Sequence, residues 1–478
     1  MRRSRLPFIA GALALALMAA ACGSAAEETS TTTAVTAAPS AAAAGTATTT
    51  TAPAGEKFGD LASPCGKGDA KGATATGVTD TSISIGFGDD AGYAAAPGTS
   101  KDAADAIRAL TAWCNDQGGI NGRKIDAKYY DAKILDVKSA ITQACADKVF
   151  MLVGDAWAFD SLQEDVRIEC KLPAIPTYSV STAFAMGPAM IQGVPNPGDQ
   201  IPGQFLYAIQ KLFPDAVKKT AFTYADYAAT LETAEKYKQA SAQVGYTDLK
   251  CDQIYNIGGE ADWKPFAENL KRCGAEVVFF SGTATPNLQN FLTAAKQVGF
   301  TPKAWVVDAN TYTEAFQKWN GSSGGAGDNV YARFAFVPFE EASKNPATQQ
   351  YLDAVKKTNG VTGLLGMQAT SSFLLWATGV KACGSTVTAK CVFDELAKIK
   401  DWTAGGLHAP TEPAQNLVPD CGVLLKLTGG AFTRVAPTDK TFECDPKYRI
   451  ASLKTKYLDD AGVGADRKAT KFGTFTLS

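Results

Sequence analysis

The stretch of this chain that comes nearest to a reactive motif is Gly86-Phe87-Gly88-Asp89-Asp90-Ala91-Gly92, directly after an alternating apolar run. Glycines at such a turn let backbone amides cradle a pyrophosphate, and Asp131 at the end of the next strand would then take a ribose hydroxyl. The third glycine is displaced by one, and Asp89 and Asp90 would face the phosphates. Nucleotide-dependent redox chemistry is therefore a remote alternative. Hydrolytic chemistry fares no better, because HExxH and P-loop patterns are both missing. The single histidine, His408, follows Gly405-Gly406-Leu407, and a Ser–His pair there has no sequence support. The expectation is a protein that is not an enzyme and carries neither metal nor cofactor.

Cysteine usage points the same way. Of 11 cysteines none forms a CxxC, and setting Cys22 aside leaves an even number. In an oxidising compartment that implies disulfides. Pairing of sequence neighbours gives Cys65–Cys114, Cys145–Cys170, Cys251–Cys273, Cys383–Cys391 and Cys421–Cys444. The 145–170 bridge also suits two successive helices lying side by side on one sheet. Charge is close to balanced, 46 basic against 48 acidic residues, without a basic stripe. A nucleic-acid partner is thereby disfavoured.

The elements that must position any site alternate strand and helix. Residues 82–87 alternate like a strand. Ala103, Ile107, Leu110 and Trp113 then keep helical spacing behind a Thr99 or Ser100 cap, and Gly118-Gly119 ends that helix. Strands are expected at 124–130, 150–153 and 174–177, with helices near 137–146 and 161–170. After Pro195-Asn196-Pro197 the rhythm restarts, with strands at 220–224, 249–254, 276–280 and 304–308 and helices between them. An extended segment at 331–336 would carry the chain back to the first half, followed by helices near 346–357 and 364–382. A late hairpin at 422–426 and 431–435 closes the pattern. Two series of such units imply two parallel-sheet α/β lobes, since roughly 420 residues exceed one ordinary core.

The amino-terminus is an address. Arg2, Arg3 and Arg5 precede an apolar run that ends in Ala19-Ala20-Ala21-Cys22. This resembles a bacterial lipoprotein signal over 1–21, with Cys22 lipidated. The Ala/Thr/Ser/Pro-rich residues 22–56 read as a disordered stalk reaching roughly 30 Å. The expected location is the extracytoplasmic face of a bacterial membrane, reached through a lipid anchor, away from the cytoplasmic nicotinamide pool.

Residues 77–86 (GVTDTSISIG) and Gly119-Ile120-Asn121-Gly122-Arg123-Lys124-Ile125 after a helix resemble the start of a Leu/Ile/Val-type periplasmic binding protein of an ABC transporter, in lipoprotein form. The likeness covers about residues 77–435 in element order. It implies a periplasmic binding protein type I fold, with two doubly wound lobes joined by a three-segment hinge. First-lobe segments would be 57–195 and 331–415, second-lobe segments 196–330 and 416–438, and 439–478 an extension. It also implies a monomer that closes on a small solute and hands it to an ABC permease. A two-lobed sensor that signals to a membrane partner is the alternative.

In this fold the ligand lies outside the carboxyl ends of the strands, between the lobes. The loops there supply Asp89, Asp90 and Tyr93; Asp155, Ala156 and Trp157; Tyr178, Ser179 and Ser181; Tyr224 and Tyr227; Thr283; and Asp308. The aromatics offer apolar faces with a polar rim, and Asp308 resembles the acidic residue that holds an ammonium in amino-acid-binding relatives. Such relatives present a Ser/Thr-rich turn to the α-carboxylate, where this chain has Gly154-Asp155-Ala156-Trp157. An aspartate there repels a carboxylate by ~1–4 kcal/mol at short range. A cationic or neutral solute, an amide, amine, aromatic or polyol, gains ground, unless the aspartates serve as caps and turn residues.

Overall fold

The computed structural model describes residues 56–473 and 475–477. The expected leader, the expected lipidation site Cys22 and the expected stalk up to residue 55 lie outside them.

Among the described residues fourteen strands follow in chain order: β1 (Ser82–Asp89), β2 (Lys124–Asp131), β3 (Met151–Val153), β4 (Ala174–Ile175), β5 (Ile201–Pro202), β6 (Thr220–Ala225), β7 (Gln253–Tyr255), β8 (Val277–Ser281), β9 (Ala304–Val307), β10 (Val330–Phe334), β11 (Cys421–Thr428), β12 (Ala431–Ala436), β13 (Glu443–Cys444) and β14 (Arg449–Ile450). The first lobe is a parallel sheet in the order β2-β1-β3-β4. The second is ordered β12-β11-β10-β9-β8-β6-β7, parallel from β7 to β10, with β11 and β12 antiparallel at one side. Alternation in β1 explains its place. Ile83, Ile85 and Phe87 are buried, and Ile107 and Leu110 of the helix Lys101–Asp116 belong to the same apolar core. Burying each such side chain contributes roughly 1.5–3 kcal/mol.

Three crossings join the lobes: between β4 and β6, after β10, and before β11. The segment 331–336, expected to return to the first lobe, pairs instead within the second sheet, Val330 to Ala332 against β9 and Tyr331 to Phe334 against β11. Its apolar residues have buried neighbours on both sides, which a solvent-crossing hinge would not provide. The crossing begins only after Phe334, where Phe336 bridges His408. The helix Leu364–Cys383, buried on nearly every side, then packs on Lys101–Asp116 of the first lobe.

The opening block has structural work. Gly119 takes φ +82°, and a side chain there would meet the Arg123 carbonyl oxygen at 1.9 Å. Arg123 is fully buried and donates to the carbonyls of Thr79, Gly72, Gly384 and Ser385. One guanidinium thus ties β1's entry to the end of the Leu364–Cys383 helix. The expected cap at Thr99 or Ser100 does not form. Ser100 lies in the left-handed region with no capping bond, and the Thr99 hydroxyl donates back to the Ala96 carbonyl.

Four of the five expected disulfides are present: Cys65–Cys114, Cys145–Cys170, Cys383–Cys391 and Cys421–Cys444. Cys251 and Cys273 are neighbouring free thiols instead, with Cys251 pushed up to about 12 by burial and then by Cys273. The extension beyond 438 runs over both lobes. β13 pairs with β11 and β14 with β5, Gln239 donates to the Lys454 carbonyl, and Ala461 and Ala469 pack against Ala183 and Met186. Arg467 grips Asp199 with two bonds, 2.8 and 3.1 Å.

Candidate functional site: the cleft between the lobes

A cavity of about 190 Å³ lies between the lobes, and each part of the fold supplies a wall. Ser100, Ala158, Tyr178 and Ser179 come from first-lobe loops. Tyr227, Thr283, Asp308 and Arg333 come from the second lobe. Pro195, Asn196 and Pro419 belong to the hinge crossings. Direct contacts draw the lobes together around it. Thr182 N donates to Glu232 Oε2 (2.7 Å), and Phe159 meets Tyr227 edge-on at 5.0 Å.

The helix Ala228–Val244 lays one face along the cavity, with Thr230, Thr233 and Lys236 at near-helical spacing. Lys236 Nζ donates to Asn196 Oδ1 (3.1 Å) and the Pro197 carbonyl (3.0 Å). Burial, helped by Arg333, lowers its ammonium to about 8. Gly282, at φ +149°, sits where a Cβ would fall 1.7 Å from the Tyr255 hydroxyl, so β8 can turn into the wall only without a side chain. Arg333 projects from β10. Its Nε donates to Tyr237 Oη (2.7 Å) and Asp308 Oδ1 (3.1 Å), while Tyr237 Oη donates to the same Asp308 oxygen. Asp308 Oδ2 accepts from Ser281 Oγ (3.2 Å).

Of the residues expected from sequence, Tyr178, Ser179, Tyr227, Thr283 and Asp308 line this cavity. The others stand behind or beside it. Asp90 accepts from the amides of Ile134 and Ala158, both at 2.7 Å, and burial pushes its carboxyl up to about 7. Asp89 accepts from Tyr129 Oη (2.6 Å) and Ala91 N, and Asp155 from Gln163 Nε2 (3.4 Å). Ala156 gives its carbonyl to Tyr178 Oη (3.0 Å), and the buried Trp157 donates to the Tyr130 carbonyl. Ser181 caps the turn Thr182–Ala185, and Tyr224 Oη donates to Asp252 (3.0 Å). Tyr93 lies against Gly258 of the second lobe.

The aspartates are thus turn and loop fasteners, because loop amides buried beneath a closed cleft need acceptors. Asp160, not singled out from sequence, does the same for Val180 N (2.7 Å) and Ser181 N (3.1 Å), and burial pushes it up to about 8. Arg333 and Lys236 were also missed. The available signal was a lone arginine inside the apolar strand Val330–Phe334.

Ser371 and His408 do pair, Oγ to Nε2 at 2.8 Å, but as a sealed network. Trp402 Nε1 donates to Ser371 Oγ (2.9 Å) and His408 Nδ1 to the Ala409 carbonyl (2.7 Å). Burial lowers the ring to about 4, so it stays neutral with every nitrogen occupied. Among the described residues no cluster of His, Cys, Asp and Glu could hold a metal ion, and no helix is long and apolar enough to cross a membrane.

The periplasmic binding protein family model matches residues 82–431, most of the chain and the strands β1 to β11. The chain belongs to this family. Members of this family are binding proteins rather than enzymes. The fold recurs in a fatty acid ABC transporter substrate-binding protein from Thermomonospora curvata, at TM-score 0.65 and 16% identity, covering 82% of this chain and 99% of that one. A solute-binding protein from Rhodopseudomonas palustris in complex with p-hydroxybenzoic acid is similar at TM-score 0.61 and 14% identity, covering 76% and 97%. A branched-chain amino acid transporter substrate-binding protein from Streptococcus pneumoniae, in complex with isoleucine, gives TM-score 0.59 and 19% identity over 75% and 100%. No curated protein matches the chain in sequence. The expected likeness to Leu/Ile/Val-type binding proteins holds, and with it the type I fold.

Proposed function

We propose that this protein is the lipid-anchored receptor of an ABC importer. It is held at the extracytoplasmic face of the membrane by Cys22, traps a small solute between its lobes and presents the closed form to the permease. The observation that carries this reading is the cavity itself, walled by both lobes and by the hinge crossings together. A solute bound there touches every part that moves when the lobes close, so binding and closure are one equilibrium. The similar solved proteins are described as serving acids or amino acids, fatty acid and p-hydroxybenzoic acid among them, which supports a small organic solute.

The test has two parts. The mature protein is screened by thermal shift against a solute library at millimolar concentration, where a solute selective for the folded state raises stability by RT ln(1 + [L]/Kd). Small-angle scattering then follows closure with the solutes that score. Mass spectrometry of membrane-extracted protein reads the first residue. An unshifted library refutes the receptor, and a first residue other than an acylated Cys22 refutes the anchor.

A further inference from the structure

We infer that the solute is a carboxylate with an apolar body and without an ammonium group, its carboxylate held by the outer edge of Arg333. This rests on the receptor reading above and names the chemistry of the same cavity. A guanidinium carries five N–H donors. At Arg333 only Nε is engaged, with Tyr237 and Asp308; Nη1 and Nη2 have no partner among the described residues. Yet Arg333 is part of the cavity wall, with its side chain about a quarter exposed. A planar pair of unused donors facing a cavity matches the two oxygens of a carboxylate, which accept such a fork with charge assistance.

The charge balance of the wall agrees. Its cations are Arg333 and Lys236, and its one acidic residue is Asp308. Both oxygens of Asp308 are taken, one by Tyr237 and Arg333 and the other by Ser281. The residue that by resemblance would receive an ammonium instead fixes the arginine. Asp90, Asp155 and Asp160 are turned to loop amides and a glutamine behind the wall. An ammonium entering the cavity would meet an excess of positive charge and no free carboxylate, a cost that rises as water is expelled. Much of the remaining wall is apolar, through Ile201, Phe205, Phe334, Phe336, Leu364 and Val423. Tyr227 adds a phenol with no hydrogen-bond partner among the described residues, available to a second polar group on the solute.

Matched probes test this on the mature protein by isothermal titration. Benzoate is compared with benzamide, hexanoate with hexanamide, 4-methylpentanoate with leucine, and 3-phenylpropanoate with phenylalanine. The aromatic and aliphatic arms report which apolar body fits. Acids are expected to bind at least about tenfold more tightly than the matched amide or amino acid. Arg333→Gln is expected to erase that preference. Should Arg333→Gln fail to fold, the wild-type pairs decide alone. Amides equal to acids, or leucine and phenylalanine tighter than their deaminated counterparts, overturn the carboxylate assignment while leaving the receptor standing. No binding by any acid also overturns it, and the unshifted solute library described above is the separate result that removes the receptor.

Discussion

Replacing Asp160 with asparagine should flatten the pH dependence of folding stability between pH 6.5 and 8. The carboxyl is 2% exposed and accepts from Val180 N and Ser181 N at the rear of the cavity wall. Burial raises it from 3.8 to about 8, with Glu232 adding to the rise. The native state therefore holds a proton that the unfolded chain has released. The stabilising contribution is fully present below pH 3.8 and is lost as pH rises through 8. One pH unit well below the folded value changes stability by about 1.4 kcal/mol per such group, and the slope fades near pH 8, leaving about 1.6 kcal/mol between pH 6.5 and 8.

Between pH 6.5 and 8 the other buried groups either stay quiet or act alike in wild type and mutant. His408, lowered to about 4, gains stability only as pH rises to its ordinary 6.5. Lys236, lowered to about 8, begins to contribute only at the upper limit. Asp90 and Asp155, both near 7, slope equally in the two proteins. Asparagine retains an acceptor for the amides and cannot titrate. Urea unfolding at pH 6.5, 7, 7.5 and 8 is the assay, and the difference between wild type and Asp160→Asn should close by about 1.6 kcal/mol, in the mutant's favour. Parallel pH profiles would refute the buried, protonated carboxyl.

Three further outcomes are expected. Arg167→Met strands the fully buried Glu164, bonded at 2.7 and 2.9 Å, and should cost about 3–5 kcal/mol in urea unfolding, most of it recovered in Glu164→Leu/Arg167→Met. Gly282→Ala forces a Cβ against the Tyr255 hydroxyl at positive φ, so it should destabilise by about 1–3 kcal/mol and weaken solute binding measured by calorimetry. Arg467→Ala frees Asp199 from its two-pronged contact, and tryptic cleavage within 454–471 should quicken about fivefold, a loss of roughly 1 kcal/mol in local opening, while the remaining digest is unchanged.

Much of the architecture was legible because strands and helices announce themselves by period. Ile83, Ile85 and Phe87 alternate, Ile107 and Leu110 keep helical spacing, and apolar runs such as Val277–Ser281 suit a strand covered on both faces. Cysteine pairing by neighbours succeeded where the chain returns within one lobe, as at Cys145–Cys170 and Cys421–Cys444. For Cys251 and Cys273 it brought the thiols together without a bond. The strand Val330–Phe334 was recognised as extended, but its sheet was not, because extended backbone has the same pattern whether it crosses a hinge or joins a neighbour.

The sequence by itself determined the two-lobed α/β order, the family and the places where loops meet the cleft, since all three follow from local spacing and chain order. Only the tertiary structure decided which of those loop residues face the solute. Asp89, Asp90 and Asp155 had the right position along the chain, yet burial turned them to partners behind the wall, both oxygens of Asp90 to amides and one oxygen each of Asp89 and Asp155 to neighbouring donors. Asp308 reached the cavity, but Arg333 from the neighbouring strand and Tyr237 from a helix neutralised it. The sign of charge in a cleft is a sum over partners that meet only on folding, and no single position along the chain contains it.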